Sequence, residues 1–219
     1  MKTNYQPLET LQDIKSMMER SSRFISLSGW SGVAAGICAL IGAWLGIAKI
    51  NEFQNARKAG YTTKEGTRYV SDGIDQLSHE LLIIAGGVFM AALITAFLFT
   101  YFRSKKAGIK IWGTSARRLM WNTVLPMVVG GIVVLRMLDL KYYLLIAPCC
   151  LIFYGLALIN GSKYTLGEVR YLGYCEILLG LFNIWIPGYS IVFWALGFGV
   201  LHIIYGVLMW WKYERSPAV

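Results

Sequence analysis

Long apolar runs separated by short polar segments dominate this chain. Six recur, at 24–48, 81–101, 119–138, 142–159, 171–186 and 189–211. A helix needs about 20 mostly apolar residues to cross a hydrocarbon layer of roughly 30 Å, because each backbone amide must find its partner within the segment. The pattern therefore predicts an all-α integral membrane bundle of six transmembrane helices. The fifth run is the shortest and carries Glu176 and Asn183, but without it the last span would start on the wrong side.

Before the first span, residues 1–23 place Leu8, Leu11, Ile14 and Met18 at helical spacing opposite Glu9, Asp13 and Arg20. This predicts an amphipathic N-terminal helix lying along the cytoplasmic leaflet or docked on a partner. The first apolar run is too long for the core of a cleaved signal peptide. Within it, Ser28, Gly32 and Gly36 recur every four residues, beside a line of Ser31, Ala35, Ala39 and Ala43. Small residues let helices approach closely, so this stripe is expected to pack on a neighbour within the bundle or on a second copy.

Charge follows the loops. The chain has 21 Lys and Arg against 12 Asp and Glu. With the N-terminus inside, twice as many basic residues fall on the cytoplasmic side as on the external one, which places both termini in the cytoplasm. The tail, 212–219, is then cytoplasmic. Six of the basic residues, Arg103, Lys105, Lys106, Lys110, Arg117 and Arg118, fill the second loop without any acid. They anchor the topology and suit contact with anionic lipid headgroups; nucleic acid is not an expected partner.

The sizeable external segment, 49–80, mixes charges around the turn-like AGYTTKEG. Its SHELL stretch opens like the zinc motif HExxH but has Ile83 where the second histidine belongs, so the motif is rejected. Cys38, Cys149, Cys150 and Cys175 lie within spans without CxxC spacing, which suggests neither a disulfide framework nor a zinc site. No metal or cofactor is expected. At the end of span three, Arg136 is positioned to snorkel outward and meet Asp139 one turn on.

Glu176 is the residue this picture must explain, since a charge within a span costs roughly 2.5–3.5 kcal/mol to insert and generally faces a partner inside the bundle. At 100° per residue, Gly173, Glu176, Gly180 and Asn183 share one face of span five, and Ala195, Gly199, His202 and Gly206 share one face of span six. Pro187 and Gly188 leave almost no loop, so the two helices are expected to run antiparallel as neighbours. Glu176 and His202 then lie about 17 and 21 Å from the turn, with side chains tilted toward each other. The candidate site is thus a buried polar pair or ligand pocket formed by Glu176 and His202, with Asn183 on the same face. A dry pair would fix helix register; a water-filled cavity reaching Glu176 would favour proton exchange or ligand binding.

The run LQDIKSMMERSSRFISLSGWSGVAAGICALIGAW and the closing GFGVLHIIYGVLMWWKYE resemble a group of small bacterial multi-span inner-membrane proteins with no assigned activity. The resemblance implies a bacterial inner-membrane location and no particular chemistry. Three function classes follow. The first is a noncatalytic protein, a regulatory or assembly partner in the membrane, acting alone, as a homodimer or with another protein. The alternative is a small-solute or proton-coupled transporter using Glu176, His202 and Asn183, which a broken helix at Pro126 or a polar cavity would support. An intramembrane enzyme comes last, for want of a catalytic or metal constellation.

Overall fold

A computed structural model describes residues 28–59, 66–106, 108 and 112–215. The amphipathic segment 1–23, Lys110 and the last four residues of the tail lie outside the described residues. Every regular element among those described is helical: α1 (Gly29–Ala59), α2 (Gly66–Lys106), α3 (Thr114–Asp139), α4 (Ile146–Gly161) and α5 (Val169–Trp185), followed by a last span in three pieces. Those pieces are α6 (Ser190–Trp194), a π-helical stretch (Ala195–Leu201) and α7 (His202–Tyr213).

Among the described residues, five helical stretches are long and apolar enough to cross a membrane, Gly29–Lys58, Gly73–Lys106, Thr114–Asp139, Tyr143–Tyr164 and Pro187–Tyr213. α5, at 17 residues, spans about 26 Å and sits at the short end of what a bilayer accepts. α1 and α2, at 31 and 41 residues, run well beyond the expected spans. Their polar continuations cover most of the 49–80 segment. α3 passes through Pro126 without a break, so the discontinuity imagined there does not occur; the irregular turn lies in the last span instead.

The α3–α4 connection shows how tightly the chain reverses. Tyr142 N–H reaches the Met137 carbonyl at 2.8 Å and Lys141 N–H the Leu138 carbonyl at 3.0 Å, the paired bonds that close a helix through a left-handed residue. Lys141 occupies that position at φ 62°, where glycine is usual. Its side chain gains Asp75, 2.6 Å away, which ties the turn to α2. Arg136 and Asp139 meet at 3.7 Å on the exposed end of α3.

The helices form an arc. α2 packs on α1, α1 on α7 and the π stretch, the π stretch on α5, α5 on α4 and α4 on α3. α2 and α3, consecutive in the chain, therefore sit at opposite ends of the arc and make at most marginal contact with each other. Glycines set the closest approaches. A methyl added to Gly155 would stand 2.6 Å from the Gly173 carbonyl, and one on Gly173 2.7 Å from the Gly155 carbonyl. Along α1, Gly36 faces the Gly199 carbonyl and Gly32 the backbone of His202 and Gly206, so the small-residue stripe is used inside the molecule.

Candidate functional site

Glu176 and His202 face each other, Oε1 to Nδ1, at 3.4 Å. Glu176 is fully buried and His202 is 6% exposed. The arrangement is not a simple meeting of two small helix faces. Gly173 and Gly180 of the α5 face rest on α4, against Gly155 and the Pro148 carbonyl. In the last span, Gly199 and Gly206 rest on α1, against Leu40 and the Gly29 carbonyl. Glycine pairs dictate these contacts, and the carboxyl reaches the last span through Gly197: a methyl there would stand 2.5 Å from Glu176 Oε2 and 2.5 Å from Leu151 Cδ2.

The π-helical stretch places His202. Gly197 and Gly199 lie within it, and glycine costs a helix roughly 1 kcal/mol relative to alanine, so the widened turn falls where helical preference is weak. His202 Nδ1 lies 3.0 Å from the Gly197 carbonyl oxygen, five residues back. A carbonyl only accepts, so Nδ1 carries the proton and donates. In the neutral ring Nε2 then accepts, and it has Tyr154 Oη at 2.7 Å to donate to it. The surrounding donors and acceptors thus select one imidazole tautomer.

Tyr154, on α4, is the site residue that sequence reasoning missed. Its hydroxyl, set in the interior of the fourth apolar run while Tyr142 and Tyr143 stand at its start, was the available signal. Trp194, Phe198, Tyr154 and His202 form a ladder of rings, with centroids 4.5 Å apart for Trp194 and Phe198, 5.2 Å for Phe198 and Tyr154, and 5.3 Å for Tyr154 and His202.

Neither Glu176 oxygen has a hydrogen-bond partner among the described residues, and the 3.4 Å approach to Nδ1 is too long and misdirected for a good bond. Asn183 stands apart from the pair. It lies seven residues along α5, about 10 Å, and its Oδ1 accepts from Ser190 Oγ at 3.2 Å across the Pro187 turn. Buried completely, it closes the hairpin rather than joining the site.

A cavity of about 450 Å³ opens beside the ring ladder. His202 and Tyr154 belong to its lining, but Glu176 does not. The opposite wall comes from α1, α2 and α3 and mixes small residues, among them Ala35, Ala39, Gly86 and Gly131, with Phe89, Leu93 and Met127.

The basic loop divides. Lys105, Lys106, Arg117 and Arg118 are exposed, whereas Arg103 is drawn into an ion pair with Glu214. The Glu214 carboxylate also accepts from Gly29 N–H at 2.6 Å and Ser28 Oγ at 3.3 Å. An anion at the start of α1 satisfies an otherwise orphaned amide and opposes the positive end of the helix dipole. No protein family, curated protein or solved structure matches the chain.

Proposed function

We propose that the chain is a noncatalytic, six-span protein of a bacterial inner membrane, a regulatory or assembly partner with both termini cytoplasmic and residues 1–23 lying against that leaflet. Two sets of contacts support the alternation of six crossings. Ser28, Arg103 and Glu214 meet at one end of the bundle, while Asp75 meets Lys141 and Tyr143 at the other. The exposed Lys105, Lys106, Arg117 and Arg118 lie toward the Glu214 end, where they suit anionic headgroups.

The observation that carries the noncatalytic reading is the sealing of Glu176. Its carboxyl is wholly buried against Gly197 and Leu151, so steric fit around it, rather than a bond to His202, sets α5 against the last span. A proton-coupled transporter is the second reading. What favours it is a buried carboxyl whose oxygens lack a donor among the described residues, 3.4 Å from an imidazole.

Purified protein in detergent and in proton-tight vesicles separates the two. His202→Ala leaves the Tyr154 hydroxyl without its acceptor, and the expected loss is about 1–3 kcal/mol of stability, with vesicle proton leakage unchanged from wild type. If the wild type carries a proton flux that Glu176→Gln abolishes at unchanged thermal stability, the noncatalytic reading fails.

A further inference from the structure

The cavity carries its polar groups along one side. That side is the Trp194, Phe198, Tyr154 and His202 ladder, and the other mixes alanine and glycine with Val88, Phe89, Leu93, Met127 and Val134. Among its described lining side chains only Tyr154, Trp194 and His202 carry a hydrogen-bonding nitrogen or oxygen. Because α2 and α3 scarcely touch, the slot faces sideways, toward the surroundings of the apolar helix faces. A second chamber of about 230 Å³ shares Ala85, Val88, Val134, Cys150 and Trp194 with the first and continues to Ser78. From Ser78 to Ala96 along α2 the two extend about 27 Å, which leaves room for a hydrocarbon tail.

From this geometry we infer that the slot binds one bilayer-soluble, hydroxyl-headed molecule with a hydrocarbon tail, its O–H donated to Tyr154. The polarity follows from the tautomer. His202 Nδ1–H is spent on the Gly197 carbonyl, and the Tyr154 O–H is spent on Nε2. What remains at the Tyr154–His202 end is the acceptor capacity of the phenolic oxygen; the cavity's other polar side chain, Trp194, stands at the opposite end of the ring ladder, where the two chambers meet. A head group placed at Tyr154 must therefore bring a donor; a ketone or ester there would face an acceptor with an acceptor. A cavity of this size, mostly apolar with a few convergent polar groups, is the usual form of a small-molecule site. The inference goes beyond the noncatalytic role and does not depend on what Glu176 does.

The matched probes are 4-decylphenol and its methyl ether, which differ by the loss of the O–H donor. Tritiated probe is partitioned between nanodiscs carrying the full chain and empty nanodiscs of the same lipid. The phenol is expected to bind saturably, one per chain, and the ether at least tenfold more weakly. Tyr154→Phe should bring the phenol down to the level of the ether. Gly131→Phe fills the slot from a position where an added Cβ meets nothing within 4 Å, so the protein should keep its melting temperature and lose both probes. Equal binding of phenol and ether would overturn the inference and mark a plain acyl-chain slot. Absence of saturable binding would overturn it too, as would a dimer that Gly131→Phe splits while probe binding stays unchanged, which would make a second copy the occupant.

Discussion

Gly197 is where the buried cluster is most sensitive to a single atom. Its carbonyl orients His202, and its missing side chain leaves the space that Glu176 Oε2 and Leu151 Cδ2 occupy from either side. Gly197→Ala must displace one of them, and overpacking of this kind costs about 1–3 kcal/mol. Gly86→Ala makes the same chemical change where nothing stands within 4 Å of the new methyl; there the gain in helix preference, up to about 1 kcal/mol, should show instead. Thermal unfolding of the two variants in one detergent checks the contrast, and equal effects would remove Gly197 from this role. The facing of Glu176 and His202 was legible because helical geometry converts residue spacing into face and depth. Asn183 shares that face but not that depth, which the angular projection alone ignores. Tyr154 was not legible, since nothing in the spacing of span four tells which neighbour its hydroxyl meets.

At the level of elements, the apolar periodicity located the helices but not their partners. Glycines on α5 and in the last span share their faces with Glu176 and His202, which were expected to meet between those two helices. The glycines themselves bring α5 to α4 and the last span to α1, because close approach needs a small residue on both sides, and only the fold decides which glycines meet. The short loop did make neighbours of α5 and the last span, through α6 and the π stretch. At the far end of that pair, Glu168, just before α5, accepts from Lys212 Nζ at 2.5 Å and Tyr213 Oη at 2.7 Å. Partial burial pushes the Glu168 carboxyl up, but the hydrogen bonds from Lys212 and Tyr213 outweigh it and hold the carboxyl below its ordinary range. A carboxyl depressed on folding stabilises the fold above its unfolded pKa, about 4.3, and that contribution is lost as pH falls through the lower folded value. With the pair only partly shielded, it amounts to no more than about 1 kcal/mol. Melting curves from pH 7 down to pH 3 should therefore fall less steeply at the acid end for Glu168→Gln than for wild type; identical slopes would count against the pairing.

On the scale of the whole molecule, α2 is the helix held least by packing among the described residues. It leans on α1 and borders the cavity, and polar clamps hold its two ends. One is the Asp75 contact with Lys141 and Tyr143, each at 2.6 Å; the other is Arg103 with Glu214, which also binds the first amide of α1. Sequence reading took Arg103 as one of six equivalent loop cations, since charge counting along a loop does not register an acid 111 residues away. Glu214 is 17% exposed at its side chain, and a hydrogen bond to a charged group contributes about 1.5–3 kcal/mol, enough to govern how far α2 stands from α3. Glu214→Gln keeps an acceptor for Gly29 N–H but removes the charge that holds Arg103, so α2 should swing about its Asp75 end and widen the slot. Spin labels at Phe99 on α2 and Leu125 on α3, both exposed, introduced into a cysteine-free background, report that separation by pulsed electron–electron resonance. The expected result is a longer and broader distance distribution in Glu214→Gln, with Asp75→Asn adding to it; an unchanged distribution in both would mean that packing on α1 alone fixes α2, and the clamps are surface decoration.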